Sequence, residues 1–209
     1  MNQFHPQIEQ SLSEFGSFTP EALIDLSALL QFRRFDENEY LLEKGQQATL
    51  IAFMLSGAMR EFYCTEDGNE FNKAFVFTGF VTGSLYDLMS NKPSTATIQC
   101  LKASECLVCN YNDYITLSKK PPCLEKIHTQ IITRLFCLKV ERVHDLLTLD
   151  SYQRYQRLLE MYPQIEDEIQ QYQIASFLGI TSVSLSRFRR KNREQGKPSS
   201  PKERSFNKC

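Results

Sequence analysis

The segment from Gln171 to Arg190, QYQIASFLGITSVSLSRFRR, constrains the fold of this 209-residue chain more tightly than any other. Counted from Gln171, apolar residues fall at positions 4, 8, 10, 15 and 18, and positions 5 and 9 are Ala175 and Gly179. This spacing is typical of a helix-turn-helix, because a small residue at position 5 lets the helices cross closely and glycine at position 9 allows a positive φ. Thr181 stands where the second helix requires an N-cap. The alternative is a helical hairpin that binds nothing.

The helical period of about 100° per residue predicts which side of the second helix faces outward. Leu185 and Phe188 define the buried side, and the opposite side is polar and basic. Such a helix can enter the major groove of DNA, where an arginine can donate two hydrogen bonds to guanine. Hydroxyls at the helix N-terminus suit phosphate oxygens. The candidate DNA-binding residues are Gln171, Thr181, Ser182, Val183, Ser184, Ser186, Arg187, Arg190 and Lys191.

Charge is distributed unevenly along the chain. Residues 187–209 contain nine Lys or Arg and two Glu, a balance of +7, whereas residues 1–186 carry 15 basic and 23 acidic residues, a balance of −8. A basic end on an acidic body favours a polyanionic partner for that end, and a solvated tail is the alternative on charge alone. Arg189, Lys191 and Arg193 are further candidates for contacts with DNA phosphates.

Residues 31–110 have a different texture, with short apolar and β-branched runs separated by turn signals. Several short strands at this spacing predict an antiparallel sandwich, roll or barrel. Asp67-Gly68, between the runs at 59–64 and 70–77, predicts a hairpin. Ahead of the strands, Thr19 as N-cap and Pro20 at the first helical position predict a helix. The side chains expected on the buried side of that helix are Leu23, Ile24, Leu26 and Leu30.

A long helix is predicted after Pro122, because neither Gly nor Pro interrupts residues 123–162 and apolar residues recur with a helical period. Asp150-Ser151 can end this helix and cap the next. Its apolar residues cover more than one stripe, so we expect it to pack on its own domain and on a second copy of the chain, as a homodimer. A fully internal helix is the alternative.

The seven cysteines are an odd number in a chain without a visible export signal, which favours reduced thiols and a cytoplasmic location. Cys106 and Cys109 lie in an alternating run, where they point to opposite faces of a strand and cannot readily chelate one ion. No metal and no cofactor is expected. The longest apolar stretch, residues 48–55, is too short to span a membrane. No P-loop, HExxH or nucleophile signature occurs, so we do not expect an enzyme.

The C-terminal segment, with its IASxLGIT and SLSR sequences, resembles the DNA-binding domain of the Crp/Fnr family of bacterial transcription regulators. The glycines of the first half agree, since Gly45 and Phe53-x-Leu55-x-Gly57-x-x-Arg60 are similar to the cyclic-nucleotide-binding β-roll of that family. The resemblance covers roughly residues 10–195. It implies an α+β fold, namely an antiparallel β-roll of the double-stranded β-helix or jelly-roll type with flanking helices, a long dimerisation helix and a small helix-turn-helix domain.

Two departures from the family pattern concern the effector. Cyclic-nucleotide binders of the family carry Gly-Glu near the start of a phosphate-binding segment and Arg-Ser/Thr-Ala near its end. This chain has Gly83-Ser84 and Ser94-Thr95-Ala96, so both charged groups are missing. The expected effector pocket therefore comprises Gly83, Ser84, Ser94 and Thr95, with an unknown small molecule rather than cyclic AMP as its ligand. The short stretch between Tyr162 and Ile169 leaves room for at most a reduced wing.

These observations predict four segments: an effector β-roll at 1–120, a dimerisation helix at 121–150, a helix-turn-helix domain at 151–195 and a basic, disordered tail at 196–209. The expected function is a homodimeric, sequence-specific transcription regulator on double-stranded DNA. The resemblance implies an activator that contacts RNA polymerase. The alternative is a module that binds a small metabolite or cyclic nucleotide and uses the basic tail for protein contacts.

Overall fold

A computed structural model describes residues 8–9 and 12–194 of the chain, which forms two compact units, Met1–Thr133 and Arg134–Cys209. In chain order the elements are a 3-10 turn (Ser13–Phe15), α1 (Pro20–Leu29), β1 (Gln31–Phe35), β2 (Tyr40–Leu42), β3 (Leu50–Ser56), β4 (Ala58–Cys64), β5 (Glu70–Phe77), β6 (Val81–Thr82), α2 (Leu85–Ser90), β7 (Thr97–Cys100), β8 (Ser104–Asn110), α3 (Tyr111–Ser118), α4 (Pro122–Thr148), α5 (Ser151–Met161), α6 (Ile165–Glu168), α7 (Gln171–Leu178) and α8 (Ser182–Glu194). The predicted tail at 196–209 lies outside the described residues.

The first unit is built on two four-stranded antiparallel sheets, with strand orders β1-β8-β3-β6 and β2-β7-β4-β5. Apolar side chains from both sheets fill the core, among them Met54, Met59, Ile98 and Leu107, all at most 1% exposed. The predicted antiparallel β-roll is confirmed at this level. The predicted hairpin is also confirmed, since β4 pairs with β5 from Ala58↔Phe77 to Cys64↔Glu70.

The helix before the strands begins as predicted. The Thr19 hydroxyl accepts a hydrogen bond from the Ala22 N–H at 3.2 Å, and Pro20 is the first helical residue. The prediction that Ile24 lies on its buried side is wrong, because Ile24 is 57% exposed. The buried side is formed by Ala22, Leu26 and Ser27. At about 100° per residue, Ile24 points roughly 200° away from Leu26, so one face cannot bury both.

The long helix is confirmed as α4, and α5 begins where predicted. The Asp150 carboxylate accepts a hydrogen bond from the Gln153 N–H at 2.8 Å, and the Gln153 side-chain oxygen accepts one from the Asp150 N–H at 2.9 Å. This reciprocal pair is a capping box, which satisfies two donors at the start of α5. The N-terminal half of α4 buries Leu124, Ile127 and Ile131 in the first unit. Its C-terminal half leaves apolar side chains exposed.

The thiols of β8 lie inside the β-roll. Cys106 and Cys109 are 0% and 4% exposed, and burial raises the pKa of each thiol to about 12. Among the residues that the structure describes, no group of three His, Cys, Asp or Glu side chains could hold a metal ion. None of the described helices is both long enough and apolar enough to cross a membrane.

Candidate functional site

The second unit contains the helix pair α7–α8, joined by a turn whose chemistry the sequence predicted. Gly179 ends α7 with φ 68° and ψ 38°, in the left-handed region that favours glycine. Its N–H donates back to the Ala175 and Ser176 carbonyls. The Thr181 hydroxyl accepts a hydrogen bond from the Ser184 N–H at 3.2 Å and so caps α8. The expected turn glycine and N-cap are both confirmed.

Apolar side chains hold the two helices together. Ile174, Ala175, Leu178 and Leu185 are each at most 2% exposed. Phe188, predicted on the buried side of α8, is half-buried and packs on two tyrosines of α5. Its ring centroid lies 5.3 Å from that of Tyr152 and 6.0 Å from that of Tyr155. The apolar side of α8 is therefore occupied, which leaves its polar side outward.

The outward face of α8 carries the side chains that the helical period placed there. The exposed residues on this face and at the start of the helix are Ser182, Val183, Ser186, Arg187 and Arg190. Gln171, at the first position of α7, reaches this face. Its side-chain nitrogen donates to the Ser182 carbonyl at 3.0 Å and to the Ser186 hydroxyl at 2.5 Å. Gln171 thus links the N-terminal ends of the two helices.

The basic residues of α8 differ in their surroundings. The Arg189 Nε lies 2.9 Å from the Glu166 Oε1 of α6, and the buried Tyr155 hydroxyl donates to the same carboxylate oxygen at 3.1 Å. Arg189 therefore forms an ion pair within its own unit, and its contact with DNA phosphates stays a prediction. Lys191 remains exposed, with its Nζ 4.0 Å above the Tyr152 ring. Arg193 is also exposed.

Two arginines that the sequence reasoning missed cap the C-terminal end of α7. Arg142 of α4 donates from its guanidinium to the Phe177 carbonyl and lies 4.0 Å above the Phe177 ring. Arg154 of α5 donates to the Leu178 carbonyl at 3.3 Å and to the Leu149 carbonyl at 2.8 Å. Burial, and then the Arg154 charge, lower the pKa of Arg142. Cations suit a helix C-terminus, where carbonyls lack intrahelical partners.

Three of the four residues predicted for the effector pocket, Ser84, Ser94 and Thr95, come together around one carboxylate, Asp87 of α2. Its Oδ2 accepts hydrogen bonds from the Ser84 hydroxyl at 2.6 Å, the Ser94 hydroxyl at 2.9 Å and the Thr95 N–H at 3.3 Å. The Thr95 hydroxyl lies 3.5 Å from its Oδ1. Asp87 is 1% exposed, and Ser84 and Ser94 are 3% exposed. Gly83 precedes this cluster with φ 153°, and a Cβ there would lie 2.6 Å from the Leu50 carbonyl.

Arg60, the last residue of the Phe53-x-Leu55-x-Gly57-x-x-Arg60 motif, is a buried cation of the first unit. Its guanidinium donates to the Gln99 side-chain oxygen at 3.0 and 2.7 Å and lies 2.6 Å from a Glu70 carboxylate oxygen. It also stacks 3.8 Å above the Phe62 ring. Arg60 is therefore engaged within its own sheet.

One family model matches part of the first unit. Residues 32–120 match the cyclic nucleotide-binding domain. The cyclic nucleotide-binding domain thus accounts for the strands, α2 and α3. No curated protein matches the chain.

Solved structures with the same fold extend beyond that domain. The regulator CLP from Xanthomonas campestris, described as responsive to c-di-GMP, superposes with a TM-score of 0.65 at 16% identity, covering 85% of this chain and 93% of its own. A CooA mutant from Carboxydothermus hydrogenoformans gives 0.64 at 18% identity, over 81% and 78%. A protein from Eubacterium rectale, described as a transcriptional regulator of the Crp/Fnr family, gives 0.65 at 15% identity, over 86% and 85%. These likenesses establish a shared fold.

The residues of this cyclic nucleotide-binding domain do not fit a cyclic phosphate. The segment that resembles the phosphate-binding segment presents a buried carboxylate, and the hydroxyls around it already donate to that carboxylate. A second anion at the same donors would meet a like charge in a low-dielectric interior.

Proposed function

We propose that this protein is a sequence-specific DNA-binding transcription regulator that acts as a homodimer, with the α7–α8 pair as its helix-turn-helix. The observation that carries this proposal is the outward face of α8. That face is polar and basic apart from Val183, while the apolar side of α8 packs against α5 and α7. A helix that is buried on one side and basic on the other matches the surface that enters a DNA major groove.

In this proposal the roles on α8 follow from position. Arg187, exposed in the first two turns, reads a base edge, with Val183, Ser186 and Arg190 beside it. The hydroxyls of Thr181, Ser182 and Ser184 and the N-terminus of α8 face phosphate oxygens. Gln171 holds the start of the helix and its neighbouring serines in place. Exposed Lys191 and Arg193 add contacts with the phosphate backbone.

The homodimer is proposed from the exposed apolar stripe of α4. Phe136, Val140, Val143 and Leu147 are 67%, 51%, 55% and 80% exposed. Their spacing of four, three and four residues is that of a two-stranded coiled-coil seam. A contiguous apolar stripe of this kind favours a partner helix, and a second copy of α4 supplies one with matching spacing. Twofold symmetry then predicts DNA half-sites roughly 10–10.5 base pairs apart, centre to centre.

The effector and the direction of regulation follow from different arguments. Because Asp87 and its donors do not fit a cyclic phosphate, we propose that cyclic AMP is not the effector. An activating role with contact to RNA polymerase rests on the resemblance to Crp/Fnr regulators alone.

The proposal is tested by incubating the purified full-length protein with sheared genomic DNA and sequencing the bound fragments. We expect enrichment of a palindromic sequence that shifts in a gel as a protein dimer. Arg187→Ala should weaken the enrichment and relax the preference at one base pair of each half-site, while Arg34→Ala, which removes an equally charged exposed side chain from β1, should do neither. If no sequence is enriched and binding follows fragment length alone, the alternative of a metabolite-binding module with a basic tail gains support.

A further inference from the structure

The part of the chain that matches the cyclic nucleotide-binding domain contains a buried carboxylate, Asp87. Asp87 is 1% exposed, yet it forms no ion pair among the described residues. Hydrogen bonds alone compensate its charge, from two hydroxyls and one backbone N–H within 3.3 Å. Charge-assisted hydrogen bonds to a carboxylate are strong, and a buried carboxylate without them is costly.

These donors are arranged as they would be around any small oxyanion. They come from both sides of the segment, Ser84 from the position before α2 and Ser94 and Thr95 from the loop that precedes β7. A carboxylate and a phosphate present similar oxygen acceptors to such a set. The difference here is that the anion is covalently part of the chain.

The local backbone depends on this cluster. Six-residue α2 is too short to be stable alone. It is flanked by Ser84 and Asn91, which have φ values of 49° and 53° in the left-handed region; asparagine tolerates this conformation, but it is unfavourable for serine. Ser94 in turn pairs through its backbone with the turn at 45–46, donating to the Gln46 carbonyl and accepting from Gly45, both at 2.7 Å. Asp87 therefore ties α2 to the rest of the β-roll.

We propose that Asp87 is the built-in anion of this site. The donors of Ser84, Ser94 and Thr95 form an anion-binding cluster that the chain fills with its own carboxylate. The domain consequently takes no anionic effector at this position and stays assembled without one. A filled anion site also extends the proposed function, because DNA binding would then not require a nucleotide. The filling of the site by Asp87 does not itself depend on DNA binding.

Chemical rescue tests the proposal. In full-length Asp87→Ala the donors lose their acceptor, and we expect the melting temperature to fall by about 5 °C in sodium chloride. Sodium acetate or inorganic phosphate at equal ionic strength should restore most of that loss and saturate with concentration. Neither anion should stabilise the unchanged protein, nor Asp25→Ala, which removes an exposed carboxylate from α1. Asp87→Asn fills the space with an amide and should not be rescued.

The outcomes that overturn the proposal are equally definite. The proposal is wrong if acetate raises the melting temperature of the unchanged protein and of all three variants alike. It is also wrong if Asp87→Ala and Asp25→Ala have the same melting temperature. Should Asp87→Ala fail to fold, calorimetry on the unchanged protein decides, because saturable binding of inorganic phosphate or cyclic AMP that protects residues 83–96 from hydrogen exchange contradicts a filled site. None of these readouts involves DNA, so a failure of the DNA-binding proposal leaves them unaffected.

Discussion

Serine and threonine hydroxyls cluster at two places in this chain, around α2 in the first unit and at the turn before α8 in the second. Around α2 the hydroxyls of Ser84 and Ser94 are buried and donate to Asp87. Before α8, Thr181 and Ser182 are exposed, and the Thr181 hydroxyl caps a helix whose outer face is basic. One cluster is closed on an internal anion, and the other is open to an external one.

The contrast shows that a domain can share a fold with ligand-binding proteins without sharing their ligand. Residues 32–120 match the cyclic nucleotide-binding domain, while the polar groups around α2 satisfy one another. The α7–α8 pair keeps its apolar positions inside and its polar positions outside. A hydroxyl can serve either purpose, so its partner decides what it does. Under the proposed function, the outward face of α8 is the ligand-binding surface of this chain.

The largest expected effect is the loss of the proposed dimer contact between two copies of α4. Val143→Glu places a charge in the middle of the exposed apolar stripe of α4. We expect light scattering to give about 24 kDa where the unchanged protein gives about twice its 24.3 kDa chain mass. Loss of the second half-site contact should weaken DNA binding by more than about 100-fold. Thr148→Glu, one residue beyond the stripe, should leave the dimer intact. A monomer that binds DNA as tightly as before would contradict the dimer.

Arg142→Gln tests whether the helix-end contacts hold the α7–α8 pair. The change leaves the Phe177 carbonyl without its charged donor and removes the stacking on the Phe177 ring. We expect the second unit to lose about 2–3 kcal/mol in denaturant unfolding, and DNA affinity to fall for every sequence alike. Arg157→Gln breaks the longer ion pairs, at 3.4–4.0 Å, that a one-third-exposed guanidinium forms with Glu141, Asp145 and Glu160, and it should cost under about 1 kcal/mol. If the two variants lost equal free energy of unfolding, the Arg142 contacts would not stabilise the α7–α8 pair more than an exposed ion pair does.

Much of this molecule follows from local sequence, and the exceptions share a cause. Thr19, Asp150, Gly179 and Thr181 act within four residues of themselves, so their capping roles could be read directly. The ion pair of Arg189 could not be predicted from local sequence, because Glu166 lies in another helix and no periodicity links the two.

The Asp87 cluster and the Arg142 contact were missed for similar reasons. Ser94 lies seven residues from Asp87, and Phe177 lies 35 residues from Arg142. An acidic residue amid serines and an arginine on an apolar helix were the available signals. Neither signal specifies a partner until the fold brings the partners together.

Arg187→Ala tests whether a single side chain on the outward face of α8 reads a base. We expect a loss of about 1–3 kcal/mol on the preferred site, with relaxed preference at one base pair of each half-site, because a base-reading arginine discriminates among sequences. Fluorescence anisotropy on the matched and a scrambled duplex measures both quantities.

Arg193→Ala is the matched control, since Arg193 is exposed on the same helix but assigned to the phosphate backbone. It should weaken both duplexes equally and reduce the slope of log affinity against log salt by about one. If Arg187→Ala behaved in that way instead, Arg187 would be a backbone contact.

The smallest expected effect belongs to the first unit and to pH. Burial raises the pKa of Cys106 and Cys109 to about 12 in the fold, while unfolded thiols titrate near about 8.5. The stability from keeping these thiols neutral is complete below the unfolded pKa and is lost as pH rises toward the folded one. The free energy of unfolding, measured in urea, should therefore fall by about 1–2 kcal/mol between pH 7 and pH 9. A Cys106→Ala/Cys109→Ala variant should flatten that decline, and an unchanged pH slope would contradict the assignment.

Affinity for the selected DNA site, measured with and without cyclic AMP, bears on both halves of the comparison. The unchanged full-length dimer is titrated against the labelled palindrome by anisotropy at fixed salt, first alone and then with saturating cyclic AMP. We predict specific binding without nucleotide and the same Kd in its presence, because α8 reads the DNA and Asp87 already fills the anion site. Specific binding that appears only with cyclic AMP, or that tightens tenfold or more when it is added, would contradict this prediction.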